Sequence, residues 1–224
     1  MNRVFDRITV EDLYQRCIYA AIAHGIMNGK FPDFSAEQSW DGSNYSFQDF
    51  CGVRGTVSFC DKGFVCLFRN DRNFIIGAEN ICSTLLKGAD EKILGLARNE
   101  AMLYLLDDNN GTVAPAASAA FWSSGSHICS NQTESELLEL SGETLIPLTL
   151  DHKKFAEYWA QCLEMTDEQQ ETVNEIYELR LNSNDRIILN NTIREKLLKW
   201  FNGEIDECIV SLEEMDIFLN DICY

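Results

Sequence analysis

The amino-acid sequence predicts an α+β fold: an N-terminal helix, a small antiparallel β-meander and a central helix, followed by an acidic C-terminal helical region. Hydrophobic periodicity is one reason, since residues 1–150 mix β-type and helical spacing, whereas residues 151–224 show helical spacing almost throughout. Charge is another, because residues 1–133 carry 15 acidic and 11 basic side chains, and residues 134–224 carry 21 and 7. The composition, 46% hydrophobic and 11% aromatic, is sufficient for a buried core.

The length of 224 residues allows one large domain or two small ones. We expect residues 1–150 to form an α+β domain. Residues 151–224 should form helical hairpins, since short connections favour antiparallel neighbouring helices. The two parts are predicted to pack together as one continuous fold.

The first helix is predicted to begin after Thr9, because a Thr followed three positions later by an acidic residue, Asp12, is typical of a capping box. Asn28-Gly29 predicts its end. A polar, aromatic loop is expected over residues 40–45.

Two strands are predicted at residues 55–60 and 64–69, around the short glycine-containing connection Asp61-Lys62-Gly63, which is typical of a hairpin. Residues 74–76 should add a third strand and complete the meander.

The central helix is expected to follow Asp90 and to run to residue 106, where the polar run at 107–111 predicts a stop. Segment 112–133 is rich in small residues, and we expect one short buried strand there, near Phe121-Trp122.

Residues 137–140 and 144–150 are predicted to be extended. Pro147 would make the second of these stretches an edge strand or a linker, because proline cannot donate a ladder hydrogen bond.

Beyond Asp151, four helices are predicted. Asp151 should cap residues 152–164, and Thr166 with Gln169 should form a capping box for residues 167–182. The third and fourth helices are expected over residues 185–201 and 204–222. The last one carries an apolar stripe of Ile205, Cys208, Ile209, Leu212, Phe218, Leu219 and Ile222.

Nine cysteines lie along the whole chain, at positions 17, 51, 60, 66, 82, 129, 162, 208 and 223, without a CxxC pair. An odd number spread in this way, without a secretory leader, favours free thiols over a disulfide framework. Several occupy apolar positions, where a thiol acts as a small hydrophobic side chain. We therefore expect no metal site and no cofactor.

The N-terminal stretch has no apolar run before a small-residue cleavage site. The longest apolar runs are also far shorter than the roughly 20 residues that cross a bilayer. These observations predict a cytoplasmic protein without a membrane partner.

Candidate catalytic residues are few, because the chain has three histidines and no phosphate-loop, nucleophile-elbow or zinc-protease motif. The sequence therefore favours a non-enzymatic role. The alternative hypothesis is a small-molecule enzyme with a site near the meander and segment 112–133, drawn from Asp49, Arg54, His127 and Cys129.

The formal net charge of −18 disfavours direct nucleic-acid binding, which depends on Lys and Arg side chains that neutralise phosphates. The same charge favours a basic protein partner, since an acidic surface raises the encounter rate with a cationic protein. Solubility alone is the competing explanation. The candidate partner-binding residues are Asp206, Glu207, Glu213, Glu214 and Asp216.

In size, acidity and lack of a catalytic motif, the chain resembles bacterial immunity proteins of polymorphic toxin systems and phage-encoded inhibitors of host nucleases. The resemblance implies a stoichiometric inhibitor, of a toxin–antitoxin or anti-defence kind. Such an inhibitor would bind a basic partner, a toxin or nuclease-type effector, through its acidic helical surface. A scaffold subunit is a third hypothesis, and the oligomeric state is left open.

Overall fold

A computed structural model describes residues 2–61, 63–109, 111–183 and 185–219 of the chain. It confirms the α+β class, with helices and a seven-stranded antiparallel sheet. Four residues used in the predictions lie outside the described residues: Lys62 of the hairpin turn, Asn110 of the predicted stop, Ile222 of the apolar stripe, and Cys223.

The described chain forms two compact units. The first unit comprises residues 2–14 and 43–150, and the second unit comprises residues 15–42 and 151–219. The predicted division at residue 150, and the packing of residues 151–224 on residues 1–150 as one continuous fold, stay predictions.

The described strands are, in chain order, β1 (Asn2–Arg3), β2 (Gln38–Asp41), β3 (Asn44–Gln48), β4 (Val53–Cys60), β5 (Gly63–Asn70), β6 (Ile75–Ile76), β7 (Leu106–Asn109), β8 (Thr112–Ala117), β9 (Ala119–Ser124), β10 (His127–Ser130), β11 (Ile187–Leu189) and β12 (Ile217–Leu219). The largest sheet has the order β1-β10-β9-β5-β4-β3-β2. Two smaller sheets have the orders β6-β8-β7 and β11-β12.

The described α-helices are α1 (Val10–Met27), α2 (Ala78–Thr84), α3 (Glu91–Asn99), α4 (Glu134–Leu140), α5 (Ile146–Thr149), α6 (His152–Cys162), α7 (Asp167–Leu181), α8 (Asn191–Trp200) and α9 (Asp206–Glu213). Short 3-10 helices cover Pro32–Glu37, Ala101–Leu105 and Gly142–Leu145. Within the described part of the chain, no helix combines the length and hydrophobicity that crossing a bilayer requires.

The predicted hairpin is confirmed as β4–β5, which pairs from Val53 with Asn70 to Cys60 with Gly63. The third strand of the meander is wrong, because Ile75 and Ile76 pair with β8 in a separate sheet. The true neighbours of the hairpin are β3 and β9. The predicted loop at residues 40–45 is also wrong, since its residues end β2 and begin β3.

Aromatic side chains cover one face of the sheet in the first unit. Phe47 meets Phe68 with ring centroids 5.6 Å apart, and Phe64 meets Phe121 at 5.7 Å, both edge to face. A Cβ atom at Gly55 would overlap the Phe47 ring, so the glycine makes room for this packing. Edge-to-face pairs add to the stabilisation that burial alone provides.

The opposite face of the same sheet packs against helices of the first unit. Val65, Leu67, Ala120 and Trp122 project from it into a buried cluster with residues of α2, α3 and the 3-10 helix at Ala101–Leu105. Asp90 caps α3 as predicted, accepting a hydrogen bond from the Ile93 N–H, but the α-helix ends at Asn99 rather than at residue 106.

Segment 112–133 contains three strands, β8, β9 and β10, instead of the single strand expected. The small residues Ala119 and Ala120 of β9 pair with Phe68 and Leu67 of β5. This small-residue stretch therefore lies inside the sheet.

The extended structure predicted at residues 137–140 and 144–150 is wrong. Thr133 and Glu136 form a reciprocal capping box that starts α4, and Pro147 lies in the first turn of α5. Proline is tolerated there because the first turn needs no intrahelical N–H donor.

The helix caps predicted for the second unit are confirmed. Asp151 accepts a hydrogen bond from the Lys154 N–H, and Thr166 with Gln169 caps α7 reciprocally. Tyr19 of α1 lies at the core, with its ring centroid 5.6 Å from that of Phe155 and 5.2 Å from that of Tyr177.

The last two predicted helices are too long. Residues 187–189 form β11 before Asn190 caps α8, and the fourth helix, α9, ends at Glu213. Asp216 then adopts a left-handed backbone, φ 56°, which turns the chain into β12 alongside β11. Phe218 and Leu219 of the predicted stripe therefore belong to a strand.

Candidate functional site

The five predicted partner-binding residues lie in and just after α9, and all five are exposed. Asp206 and Glu207 occupy the first turn of the helix, where negative charge is favourable beside the helix N-terminus. Asp206 and Glu213 are seven residues apart and therefore share a helix face.

Two of the five have structural tasks. The carboxylate of Glu214 accepts a hydrogen bond from the Trp40 N–H at 2.9 Å, and desolvation of the carboxyl group, although the residue as a whole is exposed, raises its pKa. Asp216 adopts a left-handed backbone conformation, and its backbone carbonyl oxygen accepts a hydrogen bond from the Ile187 N–H at 2.9 Å. Asp206, Glu207 and Glu213 form no ion pair with the described part of the chain.

The larger group of aligned carboxylates lies on α7 and was missed by the sequence reasoning. The exposed acidic residues along this helix define the α7 acidic row: Asp167, Glu168, Glu171, Glu175 and Glu178. Counting from the capping box at Thr166 places these residues on one side of the helix, and the structure shows that this side faces solvent. From Glu168 to Glu178 the row extends for roughly 15 Å.

Little neutralises the α7 acidic row. Glu168 lies 3.9 Å from Lys196 Nζ and accepts a hydrogen bond from Trp200 Nε1 at 3.2 Å. The other four carboxylates form no ion pair with the described residues. Their alignment costs stability, since like charges at i and i+4 destabilise a helix by about 0.2–0.5 kcal/mol per pair.

The residues of the alternative, enzymatic hypothesis are not brought together. Asp49 uses its Oδ1 to accept hydrogen bonds from the backbone N–H groups of Cys51 and Val53. Arg54 lies near the start of β4, whereas His127 and Cys129 lie on β10, with β9 and β5 between the two strands. Cys129 is buried in the core, and His127 is exposed.

The second unit also contains a cavity of 210 Å³ beside α1, with His24, Phe34, Glu37 and Cys162 in its wall. His24 Nε2 lies 3.2 Å from the Phe34 carbonyl oxygen, and burial lowers the pKa of His24 to about 4. The imidazole is therefore neutral at pH 7, as expected of a structural histidine. Among the described residues, no three His, Cys, Asp or Glu side chains are grouped to hold a metal ion.

Comparison of the chain with protein-family models, with curated proteins and with solved structures found no match. The functional conclusion therefore depends on the geometry and charge of the chain itself.

Proposed function

We propose that the protein is a binding protein that inhibits a basic partner, in the manner of an immunity protein or a phage-encoded anti-defence protein. The partner class is a toxin or nuclease-type effector whose own surface is built to bind nucleic acid. The single observation that supports this proposal best is the α7 acidic row, a line of exposed and largely unneutralised carboxylates on a rigid helix.

The placement of the row favours binding over simple solubility. Asp167 and Glu168 are favourable in the first turn of α7, but Glu178 lies in its last turn, where the helix dipole disfavours negative charge. Solubility needs only net charge, which could be placed where it costs nothing. A line of charges that the fold tolerates at a cost is expected where a cationic partner neutralises it.

The exposed carboxylates of α9, Asp206, Glu207 and Glu213, belong to the same proposal as a second acidic element of the second unit. A rigid helix presents its charges without the entropy cost of ordering a loop. Aligned carboxylates can thus occupy positions on the partner that phosphates would otherwise take.

The test compares three baits in affinity capture: the parent protein, the triple variant Glu171→Lys, Glu175→Lys and Glu178→Lys, and a control in which Asp6, Glu91 and Glu139 of the first unit are changed to Lys. Both variants change the net charge by the same amount. We expect the parent and the control to retain a basic protein that the α7 variant does not retain.

The captured protein is then purified and its activity is measured with increasing amounts of each bait. Inhibition that saturates at one equivalent of the parent, and that the α7 variant lacks, supports the proposal. Equal retention by all three baits, or a captured protein whose activity is unaffected, contradicts it.

A further inference from the structure

Two arginines lie side by side in the first unit. Arg54 of β4 and Arg69 of β5 are register partners, so their side chains project from the same face of the sheet. Like charges directly opposite each other on adjacent strands destabilise a sheet. In a chain with 36 acidic and 18 basic residues, both cations would be expected to have carboxylate partners.

Arg69 has such partners. Its Nε lies 3.1 Å from Asp71 Oδ1, its Nη2 lies 3.0 Å from Asp107 Oδ2, and its guanidinium stacks 4.9 Å from the centre of the Phe74 ring. These contacts hold the side chain in one orientation. Nη1 is left buried without a hydrogen bond.

Arg54 has no such partner. Its side chain is half-buried and forms no hydrogen bond or ion pair with the described part of the chain, and its Nε is fully buried. Asp49, at the end of the adjacent strand, already accepts hydrogen bonds from the backbone of Cys51 and Val53. Buried donors without a partner are rare in folded proteins, and each one calls for an explanation such as a bound water or ion.

The surroundings of Arg54 are polar. Its register partner on β3 is Gln48, and two positions along the same face Ser46 Oγ donates to Thr56 Oγ1 at 3.3 Å. Hydroxyl and amide side chains beside a guanidinium can complete the hydrogen bonding of an anion.

We propose that Arg54 and Arg69 form a binding site for a small oxyanion, a phosphate or a carboxylate group. The anion would accept hydrogen bonds from the guanidinium of Arg54 and from Nη1 of Arg69, while Asp71 and Asp107 hold Arg69 in position. Guanidinium groups match the geometry of such oxyanions. This site is distinct from the proposed inhibitory surface, since it lies in the first unit and selects a ligand of opposite charge.

The test measures thermal unfolding during titration with sodium phosphate and, separately, with sodium acetate, at an ionic strength kept constant with sodium chloride. The proteins are the parent, Arg54→Gln, Arg54→Lys, and the control Arg3→Gln. The control removes the same charge from β1, which β10 and β9 separate from β5. Each protein is compared with itself in chloride, so a lower starting stability of a variant does not affect the result.

We expect at least one of the two anions to raise the melting temperature of the parent and of Arg3→Gln in a saturable way. Arg54→Gln should weaken the apparent affinity by about tenfold or more, since a charge-assisted hydrogen bond is lost, and Arg54→Lys should weaken it less. Which anion acts identifies the chemical source of the ligand.

An NMR titration with the same anion should shift the Nε–H signals of Arg54 and Arg69. No saturable effect of either anion, or an equal effect on the parent and Arg54→Gln, overturns the proposal. Neither result bears on the inhibitory surface, whose residues and ligand are different.

Discussion

His24 donates a hydrogen bond through Nε2 to the backbone carbonyl oxygen of Phe34, at 3.2 Å, inside the second unit. The carboxylate of Glu37 lies 3.9 Å from the same nitrogen, yet burial dominates and lowers the pKa of His24 from 6.5 to about 4. The contact connects α1 to the 3-10 helix at Pro32–Glu37 and closes one wall of the cavity there.

Acidification should destabilise the fold through His24. Since the folded pKa is lower than the unfolded one, the unfolded chain binds a proton first, and stability falls as pH drops from about 6.5 to about 4. The full effect is on the order of 3 kcal/mol. Urea unfolding across this pH range should therefore show that the free energy of unfolding changes more steeply with pH for the parent than for His24→Gln. Parallel pH dependences of the two proteins would contradict the lowered pKa of His24.

Leu212 of α9 is fully buried and should contribute strongly to stability. We expect Leu212→Ala to lower the free energy of unfolding by about 2–5 kcal/mol, because it removes apolar contacts and leaves a cavity. Val210 lies on the same helix with 54% of its surface exposed, so Val210→Ala is the matched control and should change stability by less than about 0.5 kcal/mol. Equal effects in denaturant melts would show that α9 does not contribute to the core.

Two glycine-to-alanine changes should have opposite signs. A Cβ atom at Gly29 would overlap the ring of Phe201 and lie 2.9 Å from the carbonyl oxygen of Glu204, so Gly29→Ala should cost about 1–3 kcal/mol. Gly95 lies within α3 with open space around its Cβ position, and Gly95→Ala should stabilise by about 0.5–1 kcal/mol. Thermal melts of the two variants provide the measurement. A change in stability of the same sign for both would contradict the close packing at Gly29.

The cysteines should be reduced and should react in the order of their exposure. Cys51 and Cys162 are exposed, whereas Cys17 and Cys208 are buried, and burial raises the pKa of Cys208 to about 11. Because the thiolate is the reactive form, iodoacetamide should label Cys51 and Cys162 first. Intact-mass analysis after denaturing alkylation should count nine thiols, and a disulfide or stoichiometric zinc would refute this expectation.

Charge reversal on α9 should slow association with the captured partner. We expect Asp206→Lys, Glu207→Lys and Glu213→Lys together to reduce the association rate by about tenfold or more and the dissociation rate less, since steering acts on encounter. Added salt should weaken binding of the parent, because exposed charges are screened beyond roughly 8 Å at physiological ionic strength.

Glu214 is left out of that variant because its carboxylate accepts a hydrogen bond from the Trp40 N–H. Loss of this hydrogen bond would lower the free energy of unfolding by about 1–3 kcal/mol. Surface-plasmon kinetics at two salt concentrations provide the measurement. If the triple variant associates as fast as the parent and salt does not affect binding of the parent, the charge of α9 serves only solubility.

The sequence by itself determined the features that depend on neighbouring residues. The helix starts at Thr9, Asp90, Asp151 and Thr166 were predicted correctly, because a cap joins a side chain to a backbone group three positions away. The hairpin β4–β5 was predicted for the same reason, since its short turn connects strands with a clear β pattern. The capping box at Thr133 was equally local, and attention to it would have corrected the extended structure assigned to residues 137–140.

Only the tertiary structure decided the features that join distant segments. Residues 187–189 form a strand because residues 217–219, some thirty positions later, supply its partner, and an isolated apolar triplet does not distinguish strand from helix. Acidic composition pointed to a charged surface, but helix packing decided which carboxylates face solvent on α7. Glu214, just after α9, binds a backbone N–H 174 residues away, and the pairing of Arg54 with Arg69 exists only through strand register.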